Sequence, residues 1–431
     1  MTGCPAEMVI SEVGDSWTII RLNWEHNHEL TLADETKFLK SHKNITEEEK
    51  TLIRTLNSIN VPNRMIMVVL SYLRGGLSSV PYTKKDVSNF RTSIRKECGV
   101  NDMMQCFQFF AKRSSEDPLF FFKFQTDKDD RVRNLFWADG SGRRYYEIYG
   151  DCVSFDTTAK TNKYDLPFAP FVGVSGHGDN CLFAYALLQD ETLETFEWLF
   201  KTFLEYMSNK APKSIITDQD LAMKAAIKMV FPSTNHRNCL FHIVMNAENK
   251  TGRTFCLHTD IRDDFYDIIH NSLTMAEFTL LWKQFIVRCS LQNVRYFHLM
   301  WTTQKMWAPV YFKKEFYPFI QSTSRSEGTN SRYKLDVVST QSVSTFLTHY
   351  ARIAHTIHES QREQDSMTRN TTPTYLTEYS FEKQAAKFYN RKIFWKFQKT
   401  LKNSTRLLVT ERVQNSVFEV FKSDFHAQND F

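Results

Sequence analysis

Hydrophobic residues in the middle of the chain occur in short runs that predict β-strands. From Pro118 onward, aromatic and β-branched runs are separated by Asp and Gly: LFFFKFQTD, RVRNLFWADG and YYEIYGDCVSFDTT. Such runs are typical of antiparallel strands, with Asp139 and Gly140 as a hairpin turn. The runs FAPFVGVSG and NCLFAYALLQ, joined by GHGDN, predict a further hairpin.

Directly after these predicted strands, the apolar residues change to the spacing of an α-helix. Apolar residues recur on one face at Leu193, Phe196, Leu199, Phe200, Phe203, Leu204 and Met207, which predicts an amphipathic helix. SIITDQD then predicts a strand, LAMKAAIKMVF a helix and TNHRNCLFHI another strand. This alternation indicates an α/β layer structure built on a mixed sheet.

The flanking segments are mostly helical in pattern. Residues 31–115 contain three helical stretches, the first opening with Thr46 and an acidic turn. They form either a DNA-binding helical unit or a helical linker. Residues 244–320 predict a helical insertion, and residues 361–431 a basic helical C-terminal region.

Composition narrows the class of protein only modestly. The 431 residues are 42% hydrophobic and 24% charged, with a net charge of +5, which is ordinary for a soluble globular protein and favours anionic partners only weakly. The eight cysteines include no C-x-x-C pair, so we expect reduced intracellular thiols. The first thirty residues lack the apolar core of a secretory signal. The longest apolar runs fall far short of the roughly 20 residues of a membrane span.

Two aspartates are the first candidates for chemistry. Asp156 and Asp218 each follow an apolar run, and the carboxyl ends of strands in an α/β sheet gather where ligands bind. With Glu327 as a third acid they would hold Mg²⁺ or Mn²⁺ for two-metal phosphodiester transfer. Each aspartate also has a structural interpretation, as a helix cap or the start of a turn. Spacing alone does not decide between them.

Cysteine and histidine residues form two further groups. Cys4, His26 and His28 are three potential zinc ligands, one fewer than a structural site normally uses; the alternative is a hairpin with surface histidines. Cys239 and His242 are half a zinc site, a catalytic pair, or incidental residues of a buried strand.

The segment between residues 383 and 406 is strongly basic. Eight lysines and arginines lie there, including Lys392, Lys396, Lys399 and Lys402. Apolar residues interleave with them, so the segment is either a packed helix with a solvated basic face or a surface that contacts phosphates.

Taken in order, these motifs resemble those of a known family. DTTAKTNKYDLPFAPFVGVSGHGDNCLFAYALLQDETLETFEWLF, then PKSIITDQDLAMKAAIKMVFPSTNHRNCLFHI, then STSRSEGTNS resemble the Mutator-like transposase domain. More narrowly they resemble the plant far-red-impaired-response family of transcription regulators, which descends from such transposases. The segments GCPAEM and WTIIRLNWEHNHEL resemble the end of that family's WRKY-like zinc finger. The resemblance covers nearly the whole chain.

The resemblance implies a domain order. Residues 1–30 are a remnant of the zinc finger, 31–115 a helical linker, and 118–243 the first part of an RNase H-like core. Residues 244–320 are a helical insertion, 321–360 complete the core with its third acid, and 361–431 are the C-terminal region. The family's first finger cysteine and its SWIM zinc finger are not found in the sequence, so we expect a chain truncated at both ends.

The resemblance also implies roles for individual residues. Asp156, Asp218 and Glu327 match the family's catalytic triad. Cys239 and His242 match its C-x-x-H motif, and Cys4, His26 and His28 match the last zinc ligands of the finger.

The resulting expectation is a nuclear, DNA-binding regulator of transcription of the light-response type, without catalysis. It would use zinc in the finger, pair as a homo- or heterodimer with family members, and have no membrane association. The alternative is an active Mutator-like transposase that uses Mg²⁺ or Mn²⁺.

Overall fold

The computed structural model describes most of the chain. The residues it describes are 3–14, 16–30, 35, 38–39, 41, 43–158, 162–251, 259–317, 323, 328–329, 341–413 and 417–422. The chain divides into two units, Met1–Asn101 and Asp102–Phe431. Within the described ranges, no helix combines the length and apolar character needed to cross a bilayer.

The first unit contains a β-hairpin and three helices. Strands β1 (Glu7–Val13) and β2 (Ser16–Asn23) pair antiparallel. Helices α1 (Glu47–Ser58), α2 (Asn63–Leu73) and α3 (Lys84–Val100) follow. They enclose a small core of Ile53, Ile66, Leu70, Val80, Tyr82 and Val87. The three helices predicted from the sequence are therefore confirmed.

Capping boxes explain where α1 and α3 begin. The Thr46 side chain accepts from the Glu49 N–H while the Glu49 carboxylate accepts from the Thr46 N–H. Thr83 and Asp86 make the same reciprocal pair at α3. Each box satisfies donors that the first helical turn leaves unpaired.

The second unit is built on a mixed sheet. Its strands within the described residues are β3 (Phe121–Thr126), β4 (Val132–Ala138), β5 (Cys152–Phe155), β6 (Phe168–Val174), β7 (Asn180–Leu187), β8 (Ser214–Thr217) and β9 (Asn235–Asn238). They lie in the order β3-β4-β7-β6-β5-β8-β9. The pairs β5–β8 and β8–β9 are parallel and the other pairs antiparallel. The mixed α/β sheet is thus confirmed.

The described helices of this unit are α4 (Asp102–Glu116), α5 (Gly140–Tyr149), α6 (Leu193–Tyr206), α7 (Leu221–Val230), α8 (Leu240–Thr251), α9 (Thr259–Asn271), α10 (Met275–Arg288), α11 (Arg295–Thr302), α12 (Val343–Asn370), α13 (Ser380–Phe388) and α14 (Arg391–Ser404). Strands β10 (Leu407–Val413) and β11 (Val417–Lys422) form a C-terminal hairpin. That hairpin differs from the helical region predicted for 361–431.

Two hydrophobic layers sandwich the sheet. On one face, Phe155 and Phe171 pack against Phe200 and Phe203 of α6. The same layer includes residues of α5 and α7. On the other face, Trp137, Phe168 and Tyr185 contact aromatic residues of α12, and α4 joins this layer. We call this second side the α12 face.

The segment predicted as a helical insertion, residues 244–320, is helical over most of its described residues and has its own core. Buried residues of α8 to α11 and of the following 3₁₀ turns cluster together: Leu240, Ile243, Phe265, Phe278, Trp282, Phe285, Phe297 and Trp307. This cluster is distinct from the two layers that cover the sheet.

Three local predictions were wrong. Asp139 and Gly140 do not make a hairpin turn, because they begin α5. The turn between β3 and β4 lies at residues 127–131, where the Asp127 N–H donates to the Arg131 carbonyl. YYEIYG is therefore helical. The strand predicted for TNHRNCLFHI ends at Asn238, and Leu240 starts α8. Short aromatic-rich runs suit strand and helix alike, and tertiary packing decides between them.

The boundary between the two units falls within the segment predicted as a linker, residues 31–115. A fourth helix of that segment, α4, belongs to the second unit, which begins at Asp102. Cys106 and Phe110 of α4 are buried in the layer on the α12 face.

Candidate functional site

The first two acids of the proposed triad follow neighbouring parallel strands, at the carboxyl ends of those strands. Strands β5 and β8 are parallel neighbours, with Ser154 paired to Ile216. Asp156 and Asp218 each lie two residues beyond this pair, so they share one register step and one side of the pleat. Adjacent strands run about 5 Å apart. The side they share is that of Cys152 and Ile216, which is opposite to α6 and α7.

Burial and neighbouring charges perturb Asp218. Burial raises the pKa of its carboxyl, and the charges of Asp220 and Glu191 also raise it. A hydrogen bond from the Asp220 N–H and the charge of His242 act in the opposite direction. Asp156 is 7% exposed. Carboxylate oxygens in a partly dry site are ligands of the kind that Mg²⁺ and Mn²⁺ take.

The helix-cap interpretation applies to Asp220 and not to Asp218. Asp220 is the N-cap of α7, and its carboxylate accepts from the Met223 N–H at 2.7 Å. Asp218 instead accepts from the Asp220 N–H at 3.3 Å. Its carboxylate therefore belongs to the turn that follows β8, two residues before the cap.

Glu191 is a further acid near Asp218 that the sequence reasoning missed. Thr157, which follows Asp156, donates a hydrogen bond to the Glu191 carboxylate. The charge of Glu191 also reaches Asp218. The residue lies between β7 and α6 in LLQDETLE, where it looks like an ordinary first-turn acid.

Glu327, the third acid predicted, lies outside the described residues. Described residues on both sides of it are anchored. Thr323 donates its N–H and its hydroxyl to Cys239 Sγ, at 3.1 and 3.2 Å. The Asn180 side-chain amide donates to Thr329 Oγ1 at 3.0 Å. Cys239 in turn donates its N–H to the carbonyl of Thr217, the residue before Asp218.

The C-x-x-H motif lies at the junction of β9 and α8. Cys239 is fully buried, and burial raises the pKa of its thiol, but hydrogen bonds from His242 and Thr323 outweigh this and bring the pKa below its ordinary value. Among the described residues, no third Cys, His or acid joins Cys239 and His242 in a metal-sized cluster. In the described part of the chain the motif acts as a hydrogen-bonding junction beside Asp218.

The predicted zinc ligands of the first unit do come together. One donor atom each from Cys4, His26 and His28 lies within 4.8 Å of the others. Cys4 Sγ is 3.5 Å from His26 Nδ1. Backbone N–H groups of Ala6 and Asn27 lower the pKa of the Cys4 thiol, and His28 also lowers it.

The second sphere of these ligands also suits a metal. His28 Nδ1 lies 2.9 Å from the Glu29 carbonyl, and this hydrogen bond raises the pKa of His28. A ligand histidine is commonly held in this way, with its other nitrogen directed to the metal. One thiolate and two imidazoles are the donor set that zinc prefers, with one position left for a fourth ligand.

The four lysines predicted to contact DNA divide into two groups. Lys392 pairs with Asp179 of the β6–β7 hairpin, so it fastens α14 to the sheet. Lys396, Lys399 and Lys402 lie on the exposed face of α14, opposite the buried Phe394, Gln398 and Leu401. Trp395, which is 61% exposed, lies beside Lys399.

Replacing Asp218 by Asn tests the cost of burying this charge. We expect the metal-free variant to be more stable than wild type by roughly 0.5–2 kcal/mol, as with other substitutions that relieve functional sites. Because the pKa of Asp218 is raised in the fold, the wild-type penalty is absent at pH values below the ordinary aspartate pKa. It grows as pH rises past that value and is complete above the folded pKa.

Urea unfolding at pH 3 and pH 7 measures this difference. Asp220→Asn is the comparison, because asparagine also caps helices. It removes only the part of the penalty that the Asp220 charge causes, so it should stabilise the protein less than Asp218→Asn does. An Asp218→Asn variant that is less stable at pH 7 would show that the carboxylate is a structural hydrogen-bond acceptor instead.

Comparison with known proteins gives these features a context. A model of the MULE transposase domain matches residues 152–246, a range that includes Asp156, Asp218, Cys239 and His242. The chain is 32% identical to FAR1-RELATED SEQUENCE 5 of Arabidopsis thaliana over 400 residues, covering 93% of this chain and 51% of that protein. It is 30% identical to FAR-RED IMPAIRED RESPONSE 1 of the same plant, covering 92% of this chain and 48% of that protein.

The chain thus spans about half the length of these curated relatives. The similarity covers more than nine-tenths of this chain, so it includes parts of both units. On these grounds the chain belongs to the FAR1-related family and carries a MULE transposase domain.

Proposed function

We propose that this chain is a transposase-derived, DNA-binding regulator of transcription that works in the nucleus in light responses, and that it does not cut DNA. The observation that carries the proposal is the cluster of one cysteine thiol and two imidazoles formed by Cys4, His26 and His28 in a member of this family. A relative named for an impaired far-red response supports the link to light.

The hairpin that carries the cluster has a surface suited to a macromolecular partner. Trp17, Ile20 and Trp24 are more than 60% exposed on or beside β2. Zinc, when bound, would hold the two ends of the hairpin together through Cys4, His26 and His28. Small zinc modules depend on such ligands for their fold.

We expect the double variant His26→Ala/His28→Ala to lose zinc and sequence-specific DNA binding together. Removing two of three ligands leaves a single thiolate, which cannot hold zinc in a protein site. Zinc content is measured by mass spectrometry of the purified chain. DNA preference is measured by selection from a random duplex library.

The control is His298→Ala/His355→Ala, which removes two exposed histidines of the second unit. It should keep both zinc and the selected DNA motif. A wild-type chain that selects no motif, or a ligand variant that selects the same motif, would contradict the proposal. A fluorescent fusion in plant cells tests the nuclear location.

The alternative function is an active transposase, and one observation favours it. We propose that residues 118–243 form the first part of an RNase H-like core, because Asp156 and Asp218 follow two adjacent parallel strands. Those carboxylates, with Glu327 as the proposed third acid, would hold Mg²⁺ or Mn²⁺, which supplies charge stabilisation and an activated oxygen nucleophile when bound. Asp156 and Asp218 would position such ions at the carboxyl ends of β5 and β8.

A strand-transfer assay decides between the two functions. The wild type and Asp156→Asn are compared with Mg²⁺ or Mn²⁺ on DNA carrying transposon ends. Metal-dependent cleavage by the wild type that is lost in the variant would contradict the proposal of a non-cutting regulator and support the transposase. A third element of the proposal, a homo- or heterodimer with family members, is tested by light scattering.

A further inference from the structure

The solvent face of α3 has the composition of a helix that reads DNA. Lys85, Asn89, Thr92 and Lys96 are all exposed and follow one another at steps of four, three and four residues. This spacing places them in a single stripe along the helix. Two cations at the ends and two short polar side chains between them form the stripe.

The opposite face of α3 fixes the direction of this stripe. Val87 and Ile94 are buried in the first unit. Arg91, which is 8% exposed, donates from Nε to the Asn57 side chain at 2.7 Å and from Nη1 to the Asn63 side chain. Arg91 therefore joins α3 to α1 and to the start of α2, and the stripe is held outward by packing.

Two acids near α3 have cationic partners of their own. Asp86 is the capping-box partner of Thr83 and pairs with Lys43 at 3.1 Å. Glu49 accepts from Arg74. Within the described residues neither Lys85 nor Lys96 has an ion pair. Their charge is therefore available to an external anion.

The segment that contains the three helices, residues 43–100, has a positive net charge. Residues 43–100 contain ten basic residues: Lys43, Lys50, Arg54, Arg64, Arg74, Lys84, Lys85, Arg91, Arg95 and Lys96. The acidic residues are five: Glu47, Glu48, Glu49, Asp86 and Glu97. Their difference, +5, equals the net charge of the whole chain. Such a segment attracts a polyanion through its summed field.

We propose that α3 lies against double-stranded DNA, with Lys85 and Lys96 on phosphates and Asn89 and Thr92 towards base edges. This rests on the proposed function and adds a second DNA-contacting surface to the finger hairpin. Lys85 and Lys96 lie about 16 Å apart along the helix axis. That span bridges a major groove about 12 Å wide, and asparagine and threonine are suited to base edges.

Helices α2 and α3 do not form a helix-turn-helix, because their connection, residues 74–83, is longer than the three or four residues of that motif. The proposed DNA contact therefore uses the exposed stripe of α3. Of the two sequence interpretations of this segment, a linker or a DNA-binding unit, the proposal takes the second.

The test measures how DNA affinity depends on salt. The full chain binds a fluorescent duplex, chosen from its selected motif, between 50 and 200 mM salt. Each phosphate contact contributes about 0.9 to the slope of log affinity against log salt. We expect Lys85→Ala/Lys96→Ala to reduce the magnitude of that slope by about 2. Asn89→Ala should leave the slope unchanged and reduce the preference for the motif over a scrambled duplex.

The matched control is Lys128→Ala/Lys283→Ala, which removes the same charge from exposed positions of the second unit and should keep the slope. Lys85→Gln/Lys96→Gln repeats the charge loss with longer side chains. A wild-type slope in both Lys85/Lys96 variants would overturn the inference while the proposed function stands. If the wild-type chain bound no duplex, the proposed function would fail and this inference with it.

Discussion

Gly142→Ala is expected to destabilise the protein by about 3 kcal/mol, although alanine is the better helix former. In an exposed helix the same change stabilises by about 1 kcal/mol. In α5, however, an added Cβ would lie 2.3 Å from the Phe183 carbonyl oxygen and 3.1 Å from its carbon. Phe183 is on β7, in the interior of the sheet, so its backbone cannot move aside. The helix must lift away from the sheet, which costs as much as a severe core overpacking.

Urea unfolding of the purified chain measures this effect, and its sign is the informative quantity. Arg144→Ala on the same helix is exposed and should change stability by less than about 0.5 kcal/mol. If Gly142→Ala proved as stable as wild type, helix propensity would outweigh the contact with β7, and the close packing of α5 on the sheet would be refuted.

Asp102→Ala is expected to lower the free energy of unfolding by about 3 kcal/mol. The Asp102 carboxylate, 3% exposed, accepts from the Val343 N–H and the Ser344 N–H, both at 2.9 Å. Both N–H groups belong to the first turn of α12, where they have no acceptor within the helix itself. Charge-assisted hydrogen bonds to buried groups contribute about 1.5–3 kcal/mol each, and Lys163 at 3.6 Å also loses its partner.

The natural comparison is the local cap of the same helix. Ser342 accepts from the Thr345 N–H at 3.2 Å, and Ser342→Ala should cost about 1 kcal/mol, as N-cap losses usually do. Asp102→Asn retains the shape and one acceptor, so its stability should fall between those of Asp102→Ala and wild type. Equal losses in Asp102→Ala and Ser342→Ala would mean that the contact between α4 and α12 contributes nothing beyond an ordinary cap.

The order of strands and helices around the acids was readable from the sequence because each element has a strong local pattern. Asp156 and Asp218 follow short apolar runs that became β5 and β8. The helical face beginning at Leu193 became α6. In each case hydrophobic periodicity and the buried surface point to the same structure.

Local patterns misled where tertiary contacts decide. Arg-Tyr-Tyr sequences favour strands, yet Tyr146 is buried in α5 because Gly142 lets that helix approach β7. Asp139 resembled a turn residue, but its carboxylate pairs with Arg113 and accepts from Tyr350, one from α4 and the other from α12. These partners are distant in the chain, so no window of sequence contains them.

The same reason hid two long-range anchors. Cys239 and Thr323, beside Asp218, are 84 positions apart, and Asp102 and Val343, which join α4 to α12, are 241 apart. A cysteine accepting two hydrogen bonds has no periodic signature. Glu191 was missed because its contact with Thr157 arises only when β5 and β7 are brought into one sheet.

The cover that α12 gives to the sheet has a consequence for the protein's synthesis. The ribosome completes β7 about 150 residues before it reaches α12, which corresponds to roughly 10–30 s of translation. During that interval Trp137, Phe168 and Tyr185 lack the rings of Phe346 and Tyr350 that later cover them. A nascent chain with this aromatic face uncovered is a substrate for chaperones, and its yield in the cell should depend on them more than its final stability does.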